Sequence, residues 1–487
     1  MQRRAMLKGC AAAIAVPMFA TGCDVLDGSA KAVDELAFDP GAFTVETKTV
    51  ATFERDKKVI YQFYESVVYV AKPVDKTHQS LSVSVPVEID GASVDASKAP
   101  ILFTNSVAGY LASAVTSREP DDGDRTRNSD LALAAGYVVV EPGVRGRDLV
   151  APDGTYFGMA PGAIVDLKAA VRYLRHNSGR VPGDTDRIVA TGVSAGGALS
   201  ALLAVSADSR MYDRYLAELG AAEASDVVFA AAPYCPVTDL EHADMAYEWN
   251  WGANPLRSGE LDAAASRELS TAFPDYQASL ALHGRNGFGP LTAGNYGDYL
   301  VRTYLEPAAT AYLTALSYAD RSSYLATNPW ITWSGDRAGF TWPGFLSHVG
   351  ARQKGVPAFD AFDLSSPENN EFGAGTVKAR HFTPFSLRRA TGDPGAQLDT
   401  DLPEKISMMN PMFFLRQRNS GRAKHWRIRV GTKDTDTSLA IVGNLAASLE
   451  NLGDEVDAAM YWDAGHGSNE DPEDFIAWIG KVTGYAG

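Results

Sequence analysis

One serine, one late histidine and a pair of aspartates between them carry the chemistry open to this sequence. Gly192-Val193-Ser194-Ala195-Gly196 sets a serine between glycines in the pattern G-x-S-x-G. A serine hydroxyl is a weak nucleophile until a base takes its proton, and the base needs a carboxylate to orient it. Of the eight histidines, only His466 follows Gly431-Thr432-Lys433-Asp434-Thr435-Asp436-Thr437, a stretch that offers two acids. One of Asp434 and Asp436 orients His466, and the other is a helix cap or a binding group; spacing leaves the choice open. The reaction these groups fit is acyl transfer through Ser194, which needs two backbone N–H groups to hold the oxyanion. Ala195, directly after the serine, supplies one. Val107 or Ala108, in the small-residue loop Ser106–Tyr110, supplies the other.

Such groups work only if the chain positions them, and the pattern around each is that of a strand running into a loop or helix. Arg187-Ile188-Val189-Ala190-Thr191 reads as a strand entering the serine turn, and GVSAGGALSALLAVSA as a Gly turn entering an apolar helix. That context makes the turn a nucleophile elbow, where bulky neighbours would clash. Gly192 and Gly196 relieve it, and Gly197 lets the helix pack close. Further strands are expected at 59–73 and 80–89, in ILFTN, at 136–142, 226–233, 425–431 and 457–462, with helices at 129–135, 160–177 and 438–452. His466 follows the last of these strands, in Asp463-Ala464-Gly465-His466-Gly467. Alternating strand and helix implies an α/β-hydrolase fold, a mostly parallel sheet with helices on both faces. Residues 240–405 break that rhythm, are rich in Trp, Tyr, Asn and Pro, and are too long for a loop. They are expected to form a large inserted lid domain, with 46–239 and 406–487 as the core.

The N-terminus reads as an export signal. Gln2-Arg3-Arg4-Ala5-Met6-Leu7-Lys8 resembles a twin-arginine motif, and Ala11–Ala20 is an apolar run too short to span a bilayer. Ala20-Thr21-Gly22-Cys23 resembles a lipobox with Cys23 as the acylated residue. Residues 1–22 are thus expected to leave as a signal, with 23–45 a tether and the membrane reached only through a lipid anchor, on the periplasmic or extracellular face. The three cysteines, Cys10, Cys23 and Cys235, then leave no structural disulfide. The formal charge of −16 argues against nucleic acid, which needs a basic stripe. No cofactor or metal is called for: His466 and Cys235 have no C-x-x-C or H-x-x-x-H companions.

Several blocks beyond the serine turn resemble the bacterial subtype B tannase family, gallate esterases with a large lid. They are NSVAGY, YCPVTDLEHADMAYEW, SSPENNEFG, KDTDTS and GHG, spread between about Val59 and His466. The resemblance implies that Asp434 is the triad acid and Asp436 a binder of galloyl hydroxyls. It implies that Lys354 and Glu368 complete the galloyl site and that the partner is a small phenolic ester. Three vicinal phenols are donors and weak acids, so carboxylates that accept from them and an ammonium beside them form a sensible set. The rival readings are a feruloyl or other phenolic-ester esterase, which does not need Lys354, Glu368 and Asp436, and a non-catalytic surface lipoprotein that binds aromatic ligands.

Overall fold

The computed structural model describes residues 34–115 and 127–485. Arg3, Arg4, Cys23 and the rest of the export signal lie outside the described residues.

The core is a ten-stranded sheet. Its first edge is an antiparallel meander of β1 (Thr44–Val50), β2 (Lys57–Val68) and β3 (Ser80–Ile89), with the two-residue β4 (Ala92–Ser93) paired to β3. The rest runs parallel: β5 (Pro100–Thr104), β6 (Val138–Pro142), β7 (Asp184–Val193), β8 (Ala230–Tyr234), β13 (His425–Gly431) and β14 (Glu455–Tyr461). Their order is β3-β6-β5-β7-β8-β13-β14, with β3 antiparallel to β6. Parallel strands bury both faces, which is why β5 and β8 read as continuous apolar runs. Helices Gly162–His176, Ala195–Val205 and Leu439–Asn451 and helices Asn128–Ala134 and Pro472–Thr483 feed two separate apolar clusters against the sheet. This is the α/β-hydrolase fold.

Two local expectations change. The tether was expected to reach residue 45, but the chain docks from Leu36, whose carbonyl accepts from Asn177 Nδ2 at 2.8 Å, and from Phe38. Its ring is buried in the core, and its N–H donates to Asn177 Oδ1 at 2.7 Å. The strand Thr44–Val50 that follows escaped notice because it is an edge strand, exposed along most of its length and built of Thr, Glu and Lys. The strand expected at 226–233 starts at Ala230; Asp226 is instead buried against Lys168 Nζ and Arg172, each at 2.8 Å.

Between β8 and β13 the chain adds no strand to the main sheet. It forms helices, among them Leu240–Trp251, Ala263–Ser279, Trp342–Val349 and Pro367–Glu371, and two hairpin-like ladders, β9 (His283–Gly284) with β10 (Gly289–Pro290) and β11 (Thr332–Ser334) with β12 (Arg337–Gly339). This segment shares one core with the sheet. Trp330, Phe340, Phe345 and His348 pack on Trp462 at the end of β14. A Cβ on Gly443 would come within 2.8 Å of Tyr296 Oη, so the helix Leu439–Asn451 and the insertion meet without space for a side chain. Among the described residues no helix is long and apolar enough to cross a membrane.

Candidate active site

The serine turn is strained in the way its sequence requires. Ser194 has φ 58° and ψ −120°, a region L-residues avoid. A Cβ at Gly192 would lie 2.6 Å from Asn105 Nδ2 and from the Gly196 carbonyl, and one at Gly196 2.6 Å from Asn105 Oδ1. A Cβ at Gly197 would lie 2.4 Å from the Tyr234 carbonyl on β8. Strain of this kind persists because its surroundings hold it. Ser194 N–H donates to Tyr234 O at 3.0 Å, and Gly196 N–H to Val107 O at 3.0 Å. Asn105, which sequence reasoning passed over, ties the loop after β5 to the turn. Its Nδ2 donates to Thr191 O and Gly196 O at 3.1 Å and to Ser200 Oγ at 3.0 Å.

The expected oxyanion donors come from the serine turn and from this loop. Ala195 is the first residue of its helix, so its N–H has no intrahelical acceptor and is available to an anion. Val107 N–H already leans on Asn105 Oδ1 at 3.4 Å, a long hydrogen bond, and Ala108 is next along.

Asp434 and His466 meet. His466 Nδ1 lies 2.9 Å from Asp434 Oδ2, and Asp434 is fully buried. The other Asp434 oxygen accepts from Asp436 N–H at 3.0 Å. The loop of β13 and the loop of β14 are pressed together. A Cβ on Gly431 would come 2.3 Å from Ala464 O, and Lys433 N–H donates to that oxygen at 2.9 Å. Burial alone would push the His466 imidazole down, but the Asp434 hydrogen bond, with Cys235 beside it, raises it instead. A partner that favours imidazolium favours the charge a base acquires when it takes a proton. Ser194 and His466 line one cavity of about 1240 Å³ with Asn105, Val107, Ala108 and Arg127. Lys354, Glu368 and Asp436 do not line it.

Those three gather elsewhere around the same loops. Lys354 Nζ is 3.7 Å from Glu368 Oε1 and 4.1 Å from the centre of the Phe359 ring. The Lys354 backbone is stitched to the aspartate loop: Tyr247 Oη donates to Thr435 O at 2.6 Å and accepts from Lys354 N–H at 3.2 Å. Gln353 N–H donates to Thr435 Oγ1 at 3.0 Å. The turn carrying Lys354 is held by Arg352, buried against Glu248 at 2.7 and 2.8 Å, whose guanidinium also donates to Lys354 O and Gly355 O. Asp436 is half-buried on the stitched loop. Lys354, Glu368 and Asp436 lie far apart in sequence, and this stitching brings them to one region.

Glu371, three residues after Glu368 on one short helix, was also missed. It is fully buried, and neither carboxylate oxygen has a partner among the described residues; Glu368 Oε2 likewise has none. Burial, with Glu368 beside it, raises Glu371 well above the ordinary carboxyl range, against a lowering by Arg147. Tyr110, at the end of the Ser106–Tyr110 loop, is raised by burial and then by Glu371 and Glu368. Above its ordinary pKa and up to its raised one, Glu371 holds a proton in the folded chain that the unfolded chain has released. Stability therefore falls as pH rises across that window. Glu371→Gln removes the buried acid. It is expected to stabilise the chain at pH 8 by on the order of 1–3 kcal/mol, and to change little at pH 4. Thermal melts at the two pH values check this; equal effects at both would show that protonation of Glu371 is not the cause.

Residues 120–268, around the serine turn, match the family model described as BD-FAE. Esterase LipQ of Mycobacterium tuberculosis is 41% identical over 88 residues, 18% of this chain and 20% of that protein. The crystal structure of Fusobacterium nucleatum tannase is similar over 92% of this chain and 99% of its own, at 35% identity and a TM-score of 0.80. Tannin acyl hydrolase from Lactobacillus plantarum is similar over the same shares, at 38% identity and 0.81. A tannin acyl hydrolase solved in complex with ethyl gallate gives the same values.

Proposed function

From the premise that this chain belongs to the tannase-like family of α/β-hydrolases and is a carboxylic ester hydrolase, we propose that it hydrolyses galloyl esters, as a subtype B member, through a Ser194–Asp434–His466 triad. His466 takes the Ser194 proton as Oγ attacks the ester carbonyl, and Asp434 steadies the imidazolium. Ala195 N–H and Val107 or Ala108 N–H carry the oxyanion. The alcohol leaves with the proton. Water, activated by the same base, then cleaves the galloyl-enzyme and releases gallate.

The observation that carries the substrate reading is the stitching of Lys354 to the aspartate loop. It ties the Lys354 backbone to the loop that carries Asp434 and the half-buried Asp436, with Glu368 3.7 Å from the Lys354 ammonium, which supports a shared binding region. The wide Lys354–Glu368 separation suits a pair that opens to receive a phenol between them. Glu368 also has a buried oxygen in want of a donor, which a galloyl hydroxyl would supply. Tannin acyl hydrolase structures have been solved with ethyl gallate and with 3,4-dihydroxybenzoate, which supports a hydroxylated benzoyl acid part. On this reading the separate cavity beside Ser194 takes the alcohol part, and residues 240–405 act as the lid over the acyl part. The export signal and Cys23 anchor remain part of the proposal, with the enzyme working at the outer or periplasmic face.

A site built for hydroxyls rejects analogues without them, because its buried polar groups stay unpaired. Methyl gallate turnover is expected to exceed methyl benzoate turnover by about 10⁴-fold in kcat/KM. Methyl ferulate is the second comparison. Ferulate turnover above gallate turnover would keep the esterase and discard the role given to Lys354, Glu368 and Asp436.

A further inference from the structure

Cys235 stands where the mechanism makes no use of it. It follows β8 directly, at the carboxyl-end rim of the sheet where Ser194, Asp434 and His466 also emerge. Its backbone is fixed in an unusual conformation, φ 36°, with its N–H donating to Arg429 O at 2.6 Å on β13. The thiol is buried, and it is the one free cysteine among the described residues. Cys235 Sγ, a carboxylate oxygen of Asp434 and a ring nitrogen of His466 lie within 4.8 Å of one another. His466 is part-exposed toward the cavity, so an ion has a way in.

We propose that these three side chains form a binding site for soft divalent cations, zinc or cadmium, and that an ion held there stops hydrolysis by occupying the base. Thiolate, imidazole and carboxylate are the donor set such ions prefer, at about 2.3 Å for sulfur and about 2.0–2.2 Å for nitrogen and oxygen. Those bond lengths bring ligand atoms to roughly 3.5 Å apart. Reaching that spacing from separations of at most 4.8 Å, with His466 Nδ1 2.9 Å from Asp434 Oδ2, takes side-chain rotations rather than movement of the sheet. Three protein ligands and one position open to the cavity is the arrangement of an accessible ion site rather than a closed structural one. Coordination displaces the thiol proton to solvent and leaves His466 without a lone pair for the Ser194 proton. The sequence gives no hint of this site, because its ligands at 235, 434 and 466 share no local spacing. The binding claim stands on geometry alone; the inhibition rests on the assignment of His466 as the base.

The test uses cadmium chloride on the purified, reduced protein and reads the ultraviolet thiolate-to-cadmium charge-transfer band beside ester hydrolysis. Wild type is expected to show a saturable band, and hydrolysis is expected to fall with the same midpoint. Cys235→Ala is expected to lose that band, and the cadmium or zinc concentration that halves its own activity to rise by at least about tenfold. Cys235→Ser, closer in size, makes the same comparison should the alanine variant fold poorly. Ser194→Ala is expected to keep the band although its hydrolysis is nearly lost, so ion binding is read even where the esterase assignment fails. A band that survives both cysteine variants, or none in wild type, overturns the site. A saturated band with undiminished hydrolysis overturns the inhibition.

Discussion

Ser194→Ala is expected to lower kcat on methyl gallate by about 10⁶-fold while leaving gallate binding within a few-fold of wild type. The size follows from what is removed and what is kept. In the proposed mechanism no acyl-enzyme forms without Oγ, and His466 has no hydroxyl proton to take. The oxyanion donors Ala195 and Val107 or Ala108 remain, so a residual rate above the uncatalysed one survives. Alanine fits the site: Ser194 is held by backbone bonds to Tyr234 O and from Ala198, and the elbow's space is set by Gly192, Gly196 and Gly197. The strained φ of 58° is already imposed there on a residue with a Cβ. Steady-state hydrolysis and calorimetric gallate binding, made on the same preparation, decide it. A loss below tenfold with intact binding would falsify the nucleophile assignment.

The two aspartates of the β13 loop are expected to separate by the kind of damage each substitution does. Asp434→Asn should lower kcat by about 10⁴-fold with little change in KM, because an amide beside Nδ1 no longer enforces the tautomer or stabilises the imidazolium. It should also move the ascending limb of the kcat/KM profile to lower pH. Asp434 is what holds the imidazole up against the effect of burial, so its loss lets the base titrate earlier. Asp436→Asn should leave that limb where it is. Its expected effect is on KM for gallate esters, by about 10–100-fold, the loss of one charged partner to a phenol hydroxyl. The ratio of gallate to benzoate turnover falls with it. If instead Asp436→Asn moved the pH limb, the roles would be exchanged, and the 2.9 Å contact of Asp434 with His466 would be a resting arrangement only.

Local patterning carried the reading where physics is local. The serine turn was legible because glycines at 192, 196 and 197 are the residues that tolerate contacts of 2.4–2.6 Å. The parallel strands were legible because burial on both faces demands continuous apolar runs. The edge strand Thr44–Val50 was not, since an exposed edge leaves no such imprint. The docking of Phe38 was not either, since it depends on Asn177, 139 residues away.

The sequence by itself determined the order and identity of the groups: a strained serine, a late histidine on a strand-end loop, and two acids between them. It also determined the α/β scaffold, because strand and helix periodicities are written in neighbouring residues. Only the tertiary structure decided which acid lies against His466. The two aspartates are two residues apart on one loop, and the choice turns on how β13 and β14 sit side by side. The same packing buries Asp434 and leaves Asp436 half-buried, joins Lys354 to that loop through Tyr247, and sets Glu371 in the interior without a hydrogen-bond partner among the described residues. It also brings Cys235 beside the base. Contacts between residues a hundred or more positions apart are fixed by the global minimum of packing and hydrogen bonding, and no local spacing encodes them.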